Sequence, residues 1–226
     1  MALILHIDTA LENAFVGFGQ NGELIMGMEN NVRNDHAAFV QPAIAKMLLE
    51  LDFTLADIDA VGVTNGPGSY TGLRVGMASA KGICYALKKP LLTVTTLEAM
   101  TAAAIGMFPG FDVYCPLIDA RRNEVFTALY GQQMEQITAP HAQILSAATY
   151  DSILTNKTTL FFGSGASKWQ NILGEHKNAH FGYTTYNHKH LCALLFNSFK
   201  NNRFRDLLYT EPLYSKEFHS PASMKS

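Results

Sequence analysis

Apolar and polar positions along this chain switch between a period of two and a period near 3.6, and the switches mark its elements. Leu3 to Ile7 form an apolar run ending in Asp8-Thr9-Ala10, read as a first strand. Ala14 to Phe18 and Glu23 to Met28 read as two more, joined by Gln20-Asn21-Gly22, a hairpin signal. Asn34-Asp35 can cap a helix reaching Leu51. Val40, Ile44, Met47, Leu48 and Leu51 form its inner stripe, widened by Phe39 and Ala43. Pro42 is expected to kink this helix or to mark its true beginning. Val61 to Val63 form a strand that Asn65-Gly66-Pro67-Gly68 must end, and Ser69 or Thr71 can cap the helix that follows. That helix runs to Leu87, with Lys88 and Lys89 behind it and Pro90 as a stop. Leu91 to Thr95 give another strand and Thr96 to Ile105 another helix. The order is βββαβαβα.

After Phe108-Pro109-Gly110 the pattern restarts. Val113 to Ile118 and Val125 to Tyr130 read as a strand pair around Asp119-Ala120-Arg121-Arg122-Asn123-Glu124. Thr159 to Phe162 lead through Gly163-Ser164-Gly165 into a short helix around Trp169. Leu191 to Phe199 form a last helix, and Arg203 to Ser226 read as a polar tail. Both halves thus pair strands around an aspartate and continue into α/β units, the mark of a duplicated fold split into 1–106 and 107–226.

The helix from Ser69 to Leu87 is the most unusual stretch. Leu73, Met77, Ala80, Cys84 and Leu87 make one stripe, while Arg74, Lys81 and Lys88 recur along a narrow edge. Gly72, Gly76 and Ala80 stack four residues apart. Each helical glycine costs about 1 kcal/mol relative to alanine, so close packing must offset it. That packing is supplied either by the chain's own sheet and neighbouring helix or by another subunit.

Composition narrows the class. The 226 residues are 48% hydrophobic and 16% charged, and the net charge of −2 offers no footprint for unaided nucleic-acid binding. Cys84, Cys115 and Cys192 are scattered in apolar stretches, so buried thiols are expected rather than disulfides or a zinc site. MALILHIDTA lacks a basic leader and no stretch reaches transmembrane length, so a cytoplasmic protein without membrane contact is expected.

Ile7-Asp8-Thr9-Ala10, the run Asn65 to Gly76 (NGPGSYTGLRVG), Val94 to Met100 (VTTLEAM) and Ile118-Asp119-Ala120-Arg121 together resemble the TsaB (YeaZ) family. Pro212-Leu213-Tyr214-Ser215-Lys216 departs from the family's usual Pro-x-Tyr-Leu-Arg, and nothing is carried over there. The resemblance implies an actin/hexokinase-like (ribonuclease H-like) two-lobed α/β fold. It also implies the dimerisation subunit of bacterial tRNA threonylcarbamoyladenosine synthesis, whose complex transfers a threonylcarbamoyl group to the adenosine beside the anticodon. The catalytic paralogue TsaD would dock on the first lobe, a TsaE-type ATPase subunit would join, and tRNA would be met only through the complex.

The residues themselves speak against independent catalysis. Asp8 and Thr9 stand where the superfamily's phosphate-binding hairpin would hold a metal-phosphate, or else Asp8 simply makes turn hydrogen bonds. Gly66, Gly68 and Ser69 could offer N–H groups to an anion at a helix N-terminus. The run is no Walker A loop, since Leu73-Arg74 follow Gly72, and its glycine spacing is one residue too long for a dinucleotide fingerprint. The turn from Asp119 to Asn123 holds no glycine, so its side chains would keep phosphate off the backbone, and Gly163-Ser164-Gly165-Ala166 is placed like an adenosine-binding turn. The paralogue's paired metal-binding histidines align with Thr96 and Met100, which cannot replace imidazoles. His176, His180, His188 and His190 lie in polar, lysine-bearing segments and are not read as metal ligands.

The expected function is a non-catalytic scaffold with no catalytic residue, no metal and no cofactor of its own, any ATP or ADP lying at a shared interface in contact with Asp8, Thr9, Gly66, Gly68 and Ser69. Partner contacts are expected at Phe39, Val40, Ala43, Ile44, Met47, Gly72, Leu73, Gly76, Met77, Ala80 and Lys81, in a four-helix bundle with Gly72, Gly76 and Ala80 at closest approach. Without the partner the same face would form a homodimer. The alternative is a stand-alone ATP-dependent phospho- or carbamoyltransferase of the same fold. A metallopeptidase lacks its ligands here.

Overall fold

A computed structural model describes residues 1–32, 35–184 and 188–214. Asn34, one expected helix cap, and Ser215 onward lie outside the described residues. The chain divides into two compact units, Met1–Gly110 with Tyr183–Leu213, and a second built on Phe111–Gly182.

In the first unit, β1 (Leu3–Asp8), β2 (Ala14–Gln20) and β3 (Glu23–Asn30) form an antiparallel meander, and β4 (Ala60–Thr64) and β5 (Leu91–Val94) add in parallel on the other side of β1. The sheet order is β3-β2-β1-β4-β5. Alternation along β1 sends Leu3, Leu5 and Ile7 to one face, where α1 (His36–Leu51) and α2 (Tyr70–Leu87) cover them with Val40, Ile44, Met47, Met77 and Ala80. Burying a side chain such as Met47 is worth about 1.5–3 kcal/mol, so this layer holds the unit together. Ile4 points the other way, into a smaller core with Leu191 and Leu195 of α6 (His188–Lys200). Helix α3 (Thr96–Met107) opens with a capping box between Thr95 and Glu98.

The second unit repeats the plan. β6 (Val113–Asp119), β7 (Glu124–Tyr130) and β8 (Gln136–Ile144) are antiparallel, and β9 (Thr159–Phe162) and β10 (Ala179–Gly182) run parallel to β6, in the order β10-β9-β6-β7-β8. Its core gathers Tyr150, Phe161 and Trp169, with the short α4 (Asp151–Leu154) and α5 (Ala166–Leu173) on one face. Two mixed sheets of identical topology make this the actin/hexokinase-like, two-lobed fold expected.

Three expectations need correction. Tyr183–Leu213 belongs with the first unit rather than with a lobe spanning 107–226, because α6 buries Leu191, Cys192 and Leu195 against the first sheet. Arg203 to Leu213 are not a loose polar tail. The Arg205 N–H donates to the Leu91 carbonyl at 2.9 Å, its guanidinium to Thr93 Oγ1 at 2.8 Å, and the Leu213 N–H to the Asn65 carbonyl at 2.7 Å. Pro42 sits inside α1, which begins at His36.

Candidate functional site

Asp8 ends β1 with its carboxylate buried. Its Oδ1 accepts the Ala10 N–H at 3.0 Å, and its Oδ2 lies 3.9 Å from Nε2 of His188, at the start of α6. The His188 ring stacks on Phe15, centroids 3.6 Å apart. Burial holds the His188 pKa below its ordinary value, with Asp8 and Glu29 pulling the other way. The sequence pattern gave no hint of this partner, since His188 follows a polar stretch and only the return of α6 to the first sheet brings it to Asp8.

The glycine-rich turn meets the same place from the other side. The Ser69 N–H donates to the Ala10 carbonyl at 2.7 Å, and Ser69 Oγ accepts the Gly72 N–H at 3.3 Å, which makes Ser69 the cap of α2. A Cβ on Gly68 would collide with the Ala10 carbonyl. Gly66 takes a φ of 108°, and its carbonyl accepts the Thr96 N–H at 2.9 Å. Gly68 and Ser69 therefore meet the Asp8-Thr9-Ala10 turn through the Ala10 carbonyl, and Thr9 meets Gly72, whereas Gly66 is held against Thr96, Leu73 and Leu213. However, the Ser69 and Gly72 N–H groups already have acceptors, so an anion here would have to compete with the Ala10 carbonyl and Ser69 Oγ for them.

The second unit carries the corresponding turn. Asp119 ends β6, and its Oδ1 accepts the Arg121 N–H at 2.7 Å, the same Asx turn that Asp8 makes with Ala10. The same oxygen receives Lys168 Nζ, from α5, at 2.6 Å, and Lys168 also reaches the Glu124 carbonyl at 3.2 Å. The Lys168 ammonium holds the Asp119 carboxyl below the usual carboxylate range. The Lys168 ion pair and the Arg121 N–H thus share one oxygen of the Asp119 carboxylate. The adenosine-like turn at Gly163-Ser164-Gly165 packs onto β6 instead: the Asp119 N–H donates to Ser164 Oγ at 3.0 Å, and the Gly165 N–H to the Leu117 carbonyl at 2.8 Å.

The helix face expected to meet a partner is rearranged. Val40, Ala43, Ile44, Met47, Gly72, Leu73, Gly76, Met77 and Ala80 are all buried within this chain, and Phe39 is half-buried. A Cβ on Gly72 would strike the Thr9 carbonyl, and one on Gly76 the Thr9 hydroxyl, so this glycine ridge admits the β1–β2 turn and not a foreign helix. Lys81 donates to the carbonyls of Leu208 and Thr210 at 3.3 and 3.1 Å, tying down the segment after α6. What faces solvent instead is Ala38, Pro42, Ala45 and Leu49 on α1, and Ala78, Gly82, Tyr85 and Ala86 on α2. Leu49 is 83% and Tyr85 78% exposed, and a Cβ on Gly82 would meet nothing within 4 Å. The register of these stripes was legible in the sequence. Which of them looked outward was not.

Thr96 and Met100 are buried on α3, and among the described residues no three His, Cys, Asp or Glu side chains are placed to hold a metal ion. Burial pushes the Cys84 thiol up to about 11 and those of Cys115 and Cys192 to about 12, so these cysteines act as small apolar side chains. No helix among the described residues is long and apolar enough to cross a membrane.

The family model described as "TsaD: tRNA N6-adenosine threonylcarbamoyltransferase" matches residues 30–207. The tRNA threonylcarbamoyladenosine biosynthesis protein TsaB of Bacillus subtilis is 31% identical over 169 residues, 73% of this chain and 72% of that one. Its Escherichia coli namesake is 32% identical over 146 residues, 61% of this chain and 62% of that one. A Pseudomonas aeruginosa structure described as similar to the peptidase YEAZ shares the fold, with a TM-score of 0.80 at 20% identity over 96% of this chain and 100% of that one. With the doubled sheet and the run from Asn65 to Gly76 already in hand, these matches make the chain a member of the TsaB (YeaZ) family.

Proposed function

We propose that this chain is a non-catalytic scaffold in the synthesis of tRNA N6-threonylcarbamoyladenosine, docking a TsaD-type catalytic paralogue through the outer face of α1 and α2. The relatives' names supply the pathway, and the observation that carries the docking is the pair of adjacent exposed stripes ending in Leu49 and Tyr85. Alanine, glycine and proline at Ala38, Pro42, Ala45, Ala78 and Gly82 keep the surface low, so two further helices can approach to bundle distance. A stable contact of this kind buries about 800 Å² per partner. Without the paralogue, the same apolar face pairs two copies of this chain.

The two aspartate turns support the non-catalytic part. Asp119 is paired with Lys168, and the Ala10 carbonyl takes the Ser69 N–H at the start of α2, which favours a nucleotide, where the assembled system uses it, at the surface shared with the paralogue or on a TsaE-type ATPase subunit. The test is mass-spectrometric assay of the modified nucleoside in tRNA given the threonylcarbamoyl adenylate. The chain alone should produce none, and addition of the paralogue should restore it; product from the chain alone would sink the scaffold reading.

A further inference from the structure

Two hairpin connections in this protein place consecutive residues in the left-handed region, and they fill it very differently. Between β2 and β3 the residues are Asn21 and Gly22, at φ 52° and 92°, the types that tolerate this backbone. Between β6 and β7 they are Arg121 and Arg122, at φ 68° and 50°. Arginine gains nothing locally from that conformation, whereas Asn-Gly would relieve it. Among the described residues this is the only pair of neighbouring non-glycine residues with positive φ.

The strained backbone presents two guanidinium groups. Both arginines are exposed at the tip of the hairpin, as is Asn123, and neither side chain has a hydrogen bond or ion pair among the described residues. The nearby carboxylate of Asp119 is already occupied by Lys168, so it does not quench them. Strain that persists at an exposed turn points to a use for the side chains. Guanidinium forks fit phosphate oxygens two at a time.

We propose that the Arg121–Arg122 turn binds backbone phosphates of the RNA substrate. An exposed hairpin tip suits the outside of a polymer, whereas a small nucleotide needs a concave site. Two cations on a chain of net charge −2 give a contact that is weak alone and adds to what an assembled complex provides. Only the identity of the RNA rests on the proposed pathway; helix docking is read by complex formation and fails or stands separately.

The test is an NMR titration of the full-length protein with unmodified tRNA at low salt, observing the Arg121 and Arg122 Nε–H signals. Both should shift, and two phosphates predict a roughly tenfold loss of affinity between about 50 and 200 mM salt. The double variant Arg121→Asn/Arg122→Gly, which copies the Asn21–Gly22 turn, should raise the thermal midpoint by about 2–4 °C while the RNA-induced shift at the Asn123 amide disappears. Unshifted arginine signals with tRNA would overturn the proposal. So would saturation by inorganic triphosphate at lower phosphate concentration than tRNA, which would mark a small-polyphosphate site. Loss of affinity for the protein partner instead of RNA in the double variant would reassign the arginines to an acidic protein surface.

Discussion

The Thr9 hydroxyl donates to the Gly72 carbonyl at 2.6 Å, locking the turn after β1 onto the first turn of α2. The two glycines beneath it are not equivalent, because Gly76 is crowded by the Thr9 side chain and Gly72 by the Thr9 backbone. Gly76→Ala should destabilise the protein by about 1–3 kcal/mol, as overpacking does, and Thr9→Ala should recover part of that loss. Gly72→Ala should be as damaging and gain nothing from Thr9→Ala. A double-mutant cycle in urea decides it; equal rescue at both positions would contradict this packing.

Lys81 closes the carbonyl end of the turn that Asp206 begins, where Asp206 Oδ1 accepts the N–H groups of Leu208 and Tyr209. Lys81→Met should keep the apolar stem and lose both bonds, about 1 kcal/mol each. Hydrogen exchange and proteolysis should quicken over residues 206–213 and stay unchanged in β1 and β4. Uniform protection of that segment in the variant would show that Lys81 does not hold it.

His6 is fully buried on β1 and faces α6, with Nδ1 3.7 Å from Cys192 Sγ. Burial, reinforced by His188, pushes its pKa down to about 3. A histidine whose folded pKa is depressed favours folding while neutral. Its contribution is fully present above the unfolded value near 6.5 and is lost as pH falls from there toward about 3. Stability should thus drop by up to about 1.4 kcal/mol per pH unit on its account, with His188 adding in the same direction. Urea unfolding at successive pH values should show a smaller slope for His6→Gln. An unchanged slope would mean that His6 is not the group taking up the proton.

The sequence made much of this fold readable and left specific parts hidden. Strands β1 to β7 and helices α1 to α3 announce themselves through apolar runs or stripes bounded by turn signals, and of the two caps the sequence offered for α2, Ser69 and Thr71, it is Ser69 that caps. Strand β8 was missed because Pro140 and the polar Gln136, Thr138, His141 and Gln143 suit a sheet edge, where burial imposes no alternation. Strand β10 is short and at the other edge. The glycines of α2 could be read as a close-packing ridge, yet their spacing is the same whether the neighbour is a partner or the chain's own Thr9. Nor does spacing reveal Lys168 beside Asp119 or His188 beside Asp8, since both contacts depend on helices returning from far along the chain.

The docking claim is tested most directly by calorimetric titration of this chain with its TsaD-type paralogue, comparing Leu49→Asp and Tyr85→Asp with the unaltered protein. Both side chains stand in solvent, so both variants should fold with unchanged thermal midpoints while binding weakens at least about tenfold, the loss of some 1.4 kcal/mol or more at the interface. Affinity unchanged in both variants would contradict the account.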